Sequence, residues 1–167
     1  RSPNVDGLNL EGAGVTHGAG GVDVDDRLRS SNRRIYAAGD VCSRFHFTHA
    51  ADAMARIVIQ NALFYGRRRA SALVIPWSTY TFPEVAHVGL PAVEAAQAGG
   101  EPITIRLADV DRAVIDGESD GFLRVHHQGG RIIAATLVAP HAGELIGYIA
   151  SVMRRRGSLG DFSSEIF

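Results

Sequence analysis

Apolar and polar positions alternate differently in the two halves of the chain. In the first half one long helical period dominates: Ala51, Met54, Ala55, Val58, Ile59, Ala62 and Leu63 recur at three- and four-residue spacing from Thr48 toward Gly66. Thr48 suits the N-cap of that helix and Asp52 would place negative charge in its first turn. Upstream, the short apolar run 35–38 predicts a buried strand closed by Gly39 and Asp40. Residues 21–26 predict a short strand and 27–34 a polar turn, while the Gly- and Asn-rich residues 1–20 predict a surface loop.

The character changes near residues 71–76, where Leu73-Val74-Ile75 is halted by Pro76. Beyond it the pattern predicts strands at 78–82 and 84–89, a helix at 91–98, a strand at 102–107 and a turn at Asp116-Gly117. A hairpin of strands 121–127 and 131–138 follows, joined through Gly129-Gly130. Residues 141–156 predict a helix with Leu145, Ile146, Ile149, Val152 and Met153 on one face and Gly157 as its stop. Ser158 with Asp161 has the spacing of a cap opening a further helix. The expected architecture is α/β of the α+β kind, with residues 1–72 as one unit and 73–167 as a two-layer unit of antiparallel sheet and helices.

Composition narrows the chemistry. With 17 Lys and Arg against 18 Asp and Glu, the net charge of −1 leaves no footprint for nucleic acid. The longest apolar runs are too short to cross a bilayer and no cleavable signal leads the chain, so no membrane partner and a cytoplasmic location are expected. The single cysteine, Cys42, cannot form a disulfide within the chain and is expected to be a small packing residue. His46 and His49 have H-x-x-H spacing without an evident third ligand, and His87, His126 and His127 fall in strands without a carboxylate or cysteine cluster, so no metal is expected.

The remaining candidate is the bend itself. A glycine and an acid followed closely by a helix N-terminus, with its free backbone N–H groups, form a layout that can bind a polar cofactor. Asp40 could also merely satisfy a turn, and Thr48 could be an ordinary cap on a core helix.

Several motifs in one order bear on that choice. Arg1-Ser2-Pro3-Asn4, Gly21-Val22-Asp23-Val24-Asp25, Ile35-Tyr36-Ala37-Ala38-Gly39-Asp40 and Phe47-Thr48-His49-Ala50 resemble the later part of the FAD-dependent pyridine nucleotide-disulfide oxidoreductases. Pro83-Glu84-Val85-Ala86-His87-Val88-Gly89-Leu90 with His141-Ala142-Gly143-Glu144-Leu145-Ile146 resembles their C-terminal dimerisation domain, closest to the mercuric reductase-like branch. The resemblance implies FAD as cofactor, NAD(P)H as co-substrate and a homodimer formed through residues 73–167. It gives Asp40 a ribityl hydroxyl to hold and points the helix opening at Thr48 toward the isoalloxazine. The implied cofactor-binding residues are therefore Gly39, Asp40, Phe47, Thr48, His49 and Ala50, with no catalytic residue in this chain. It also keeps open a structural role for Glu144 near the subunit interface.

The family's paired C-x-x-x-x-C cysteines and a complete G-x-G-x-x-G loop do not occur in this sequence, and the sequence ends at Ile166-Phe167, where the mercuric reductase-like pattern would continue. The expectation is a C-terminal fragment of a flavoprotein that passes electrons from NAD(P)H through FAD to a disulfide or metal-ion substrate, inactive by itself. The competing expectation is a standalone, noncatalytic dimerisation or interaction module with a vestigial flavin half-site.

Overall fold

The computed structural model describes residues 2–163; Arg1 of the first motif and the closing Ile166-Phe167 lie outside the described residues. The chain divides into two compact units, Arg1–Leu73 and Val74–Phe167.

In the first unit β1 (His17–Gly18) pairs antiparallel with β2 (Gly21–Val22). The Asp25 carboxylate accepts the Arg27 and Arg29 backbone N–H groups at 2.8 and 3.0 Å, an Asx turn that reverses the chain. The run 35–38 is not the buried strand its composition predicts. Its residues are half-buried, and the preceding polar turn folds it back onto Leu28 and Ser30 through two backbone bonds, Ser30 N–H to the Ile35 carbonyl and Ala37 N–H to the Leu28 carbonyl. Only Tyr36, bridged to Arg29, has a ladder partner among the described residues, too little pairing for a strand.

Helix α1 (Thr48–Leu63) is the longest element. Its buried stripe is Ala50, Met54, Ile57 and Asn61, spaced four, three and four residues apart, which is the line of one helix face. The predicted face is broader than that stripe: Ile59 and Leu63 are 51% and 69% exposed. The start differs too. Phe47, in extended backbone geometry, takes the N-cap position and Thr48 is the first helical residue, with no side-chain cap bond. Asp52 lies beyond the first turn and pairs instead with Arg56 at 2.8 Å, one helical turn on. The helix stops three residues before Gly66, whose N–H returns to the Gln60 carbonyl at 2.9 Å.

The second unit is a five-stranded antiparallel sheet in the order β3-β4-β7-β6-β5, formed by β3 (Trp77–Thr79), β4 (Glu84–Gly89), β5 (Glu101–Arg106), β6 (Phe122–Gln128) and β7 (Arg131–Ala139). Helices α2 (Ala92–Gln97), α3 (Asp111–Asp116), α4 (Ala142–Arg154) and α5 (Leu159–Ser163) complete it. Ala86, Val88, Val125, Ala135, Leu137 and Ala139 from the sheet pack against Ala142, Ile146, Ile149 and Val152 of α4, and this is the core. Leu145, predicted on the buried face of α4, is 54% exposed; the face that meets the sheet is set by Ala142, Ile146 and Ile149. α3 stands where only a turn was expected, ended by Gly117 in the left-handed conformation.

Two devices position α4 and α5. The Glu84 carboxylate, from β4, accepts the Gly143 N–H at 2.9 Å and so caps the start of α4 from another element. Gly143 permits this approach, since a Cβ there would sit 2.9 Å from Ser78 Oγ. At α5 the Asp161 carboxylate accepts from Ser158 N–H and Oγ–H at 2.6 and 2.9 Å, while Ser158 Oγ accepts the Asp161 N–H at 3.4 Å, a reciprocal cap matching the sequence spacing.

Candidate functional site

Residues 39–41 form a single 3-10 turn that packs on the first turn of α1. Gly39 makes this possible. It is buried with φ of +79°, and a Cβ on it would lie 2.9 Å from the Ala51 Cβ. The left-handed backbone and the missing side chain are both required there. Gly21 serves the same turn from the other side: its φ is +96° and a Cβ would run into the Val41 carbonyl. Sequence reasoning placed Gly21 in a motif and Ala51 on the apolar face of the helix but neither in the site, because neither bears chemistry and only packing reveals their part in it.

The six residues singled out from the sequence therefore fall into one neighbourhood of the first unit, around the turn and the start of α1. Asp40 is exposed beside the buried Gly39. Phe47 and His49 stack their rings at 5.5 Å and 17° across the helix start. Thr48 and His49 are exposed, whereas Ala50 is fully buried and anchors the first turn. The first N–H groups of a helix lack intrahelical carbonyl partners, and the aligned peptide dipoles give that end roughly half a positive charge. Phe47 itself makes no side-chain cap bond, and a helix start of this polarity can attract an electron-rich group.

Cys42 closes the turn. Its N–H donates to the Gly39 carbonyl at 3.1 Å and its thiol lies 3.6 Å from the same oxygen. Burial pushes the thiol pKa above its usual value, which favours the protonated sulfur. Among the described residues no group of three or more His, Cys, Asp or Glu side chains is placed to hold a metal ion. No helix among the described residues is long and apolar enough to cross a membrane.

Comparison with known proteins identifies the family. The dimerisation domain of the pyridine nucleotide-disulphide oxidoreductases matches residues 75–167, and the pyridine nucleotide-disulphide oxidoreductase domain itself matches residues 1–55. A mercuric reductase of Staphylococcus aureus is 38% identical over 151 residues, covering 87% of this chain and 28% of that protein. A dihydrolipoyl dehydrogenase of Chlamydia muridarum is 31% identical over 165 residues, covering 95% of this chain and 35% of that protein. Among solved structures, the Cu(II) complex of the HOCl-induced flavoprotein disulfide reductase RclA from Escherichia coli superimposes with a TM-score of 0.87 at 26% identity, covering 100% of this chain and 40% of that one.

The class defined is a flavoprotein oxidoreductase segment joined to a dimerisation unit. The chain belongs to the pyridine nucleotide-disulphide oxidoreductase family, which is FAD-dependent with NAD(P)H as co-substrate. It spans 28% and 35% of the lengths of the two relatives named above.

The residues present fit such a cofactor. The absence of a side chain at position 39 lets the turn seat against α1, and this sets the exposed Asp40 carboxylate near the helix start.

Proposed function

We propose that this chain forms the flavin-facing and dimerising part of an oxidoreductase that passes electrons from NAD(P)H through FAD to a disulfide or metal-ion substrate. FAD, when bound, supplies the two-electron redox chemistry. In this reading Asp40 accepts a hydrogen bond from a ribityl hydroxyl, Gly39 lets the backbone approach, and the α1 start with Phe47, Thr48, His49 and Ala50 stabilises negative charge at the pyrimidine edge. A helix end contributes about 0.3–2 kcal/mol to a nearby anion. Residues 73–167 form the homodimer contact. The chain carries one cysteine, so it holds no cysteine pair of its own to receive the electrons, and it is expected to be inactive alone.

The observation that carries this reading is the seat of Gly39 on Ala51, which puts Asp40 and the start of α1 on one small neighbourhood. Titrating FAD into the isotope-labelled chain tests it. Backbone amide shifts confined to 39–41 and 47–51, weakened by Asp40→Ala, are expected. Shifts that avoid both segments, or NADPH oxidation by the chain alone, would overturn it.

A further inference from the structure

Two tight turns in the first unit carry three arginines around one hollow. The first is the Asx turn at Asp25. Leu28 lies in it with a left-handed backbone, φ of +63°, and is only 3% exposed, so its side chain is driven inward. That conformation is strained for a leucine, and it leaves Arg27 and Arg29 on either side of the buried residue. The second turn, residues 31–34, carries Arg33 and is clamped to residues 13–16. Asn32 Nδ2 donates to the Ala13 carbonyl at 2.8 Å, Ser31 Oγ–H donates to the Gly14 carbonyl at 2.9 Å, and Ser31 Oγ accepts the Thr16 N–H at 2.8 Å.

The two turns wall a cavity of about 530 Å³, lined by Arg27, Arg29 and Arg33 and, among acids, by Asp23 and Asp25. No ion pair among the described residues engages any of the three arginines. The Arg29 guanidinium lies over the Tyr36 ring at 5.8 Å, which supports it from one side. Its Nε is buried, yet has no hydrogen-bond partner among the described residues. A buried donor on a charged group bears its full desolvation penalty when unpaired, and nearly all such donors in folded proteins meet an acceptor. The Asp25 carboxylate does not supply one, since it already accepts two backbone N–H groups of its own turn.

We propose that this cavity binds a sugar phosphate. Three guanidinium groups against two carboxylates favour an anion, and the planar guanidinium fork matches the oxygens of a phosphate, one of which takes the Arg29 Nε–H. The cavity is far larger than a phosphate group alone. Asp23 and Asp25 on its wall are acceptors for hydroxyl groups, which a sugar carries next to its phosphate. Both turns are fixed by their own hydrogen bonds, so little ordering cost opposes binding. The site occupies residues 23–33, apart from the residues assigned to the flavin, and stands independently of that reading.

Titrating inorganic phosphate, and then ribose 5-phosphate, into the isotope-labelled full chain tests the proposal by NMR, with chloride at matched ionic strength and free ribose as controls. The Arg29 Nε–H signal is expected to move downfield and saturate with both phosphates, together with backbone amides in 23–33, and to ignore chloride and ribose. Ribose 5-phosphate is expected to bind about tenfold more tightly than inorganic phosphate, a gain that Asp23→Asn removes. Arg29→Lys, which keeps the charge but loses the fork, should weaken both by about fivefold or more. An Arg29 Nε–H signal that stays still, or that follows chloride equally, would overturn the site. Equal affinity for the two phosphates would overturn the sugar phosphate as its ligand. If Arg29→Lys fails to fold, Arg33→Gln at an exposed position decides, and unchanged phosphate affinity in that variant would overturn the proposal.

Discussion

Gly39 and Ala51 stand so close that any side chain at position 39 would contact the Ala51 methyl at 2.9 Å, and the Gly39 backbone, at φ +79°, already disfavours one. Gly39→Ala should therefore cost about 1–3 kcal/mol through combined strain and overpacking. Urea unfolding followed by far-UV circular dichroism and by amide signals of 39–63 measures it. A loss below about 0.5 kcal/mol would show that the turn is not held against α1.

Asn61 ends the buried stripe of α1. Its Nδ2 donates to the Arg68 carbonyl at 2.8 Å and the Arg27 carbonyl at 3.4 Å, and its Oδ1 accepts the Arg68 N–H at 2.9 Å. Asn61→Ala leaves these backbone groups without a partner and should cost about 1–3 kcal/mol. Thermal unfolding checks the magnitude, and faster amide exchange at Arg68 checks the cause.

His87 is buried between the Trp77 ring, Thr136 Oγ1 at 2.9 Å and the Leu90 carbonyl at 3.1 Å. Burial, with nearby His126 acting in the same direction, holds its pKa below the usual 6.5 against the raising effect of the backbone contacts. The unfolded chain then takes up the proton first, so this contribution to stability is complete above about pH 6.5 and is lost as pH falls toward the folded value. Denaturant midpoints between pH 8 and 5 should fall on the acid side. His87→Gln should flatten that slope, and an unchanged slope would assign the acid sensitivity to other groups.

The Ser158 and Asp161 cap predicts a local effect. The Asp161 carboxyl is held below its usual pKa by the Ser158 backbone N–H and then by the Ser158 hydroxyl. Its support of α5 is therefore present above the ordinary carboxylate range and lost as pH falls below it. Ser158→Ala should speed amide exchange in 159–163 at neutral pH while leaving the sheet protected. Loss of protection throughout the sheet would contradict this local role.

The sequence made most of the second unit legible because its strands alternate clearly between turn residues: β4 falls at the residues predicted, and β5, β6 and β7 within a residue or so. It was less informative where packing decides. Residues 35–38 have the composition of a buried strand, yet Tyr36 finds one ladder partner. Thr48 is a good cap by type, yet Phe47 holds that position because extended backbone geometry, rather than side-chain chemistry, fixes where the helix begins. α3 escaped notice since none of its residues is buried, so it leaves no amphipathic period to read.

Periodicity and turn chemistry along the chain determined which segments become strands and helices, because those signals act between residues a few positions apart. The ordered motifs likewise carried the family. Tertiary structure alone decided that Gly39 meets Ala51 and that Glu84 caps a helix 59 residues away. Such pairs are distant in sequence and leave no local pattern; burial and steric fit bring them together only once the chain has folded.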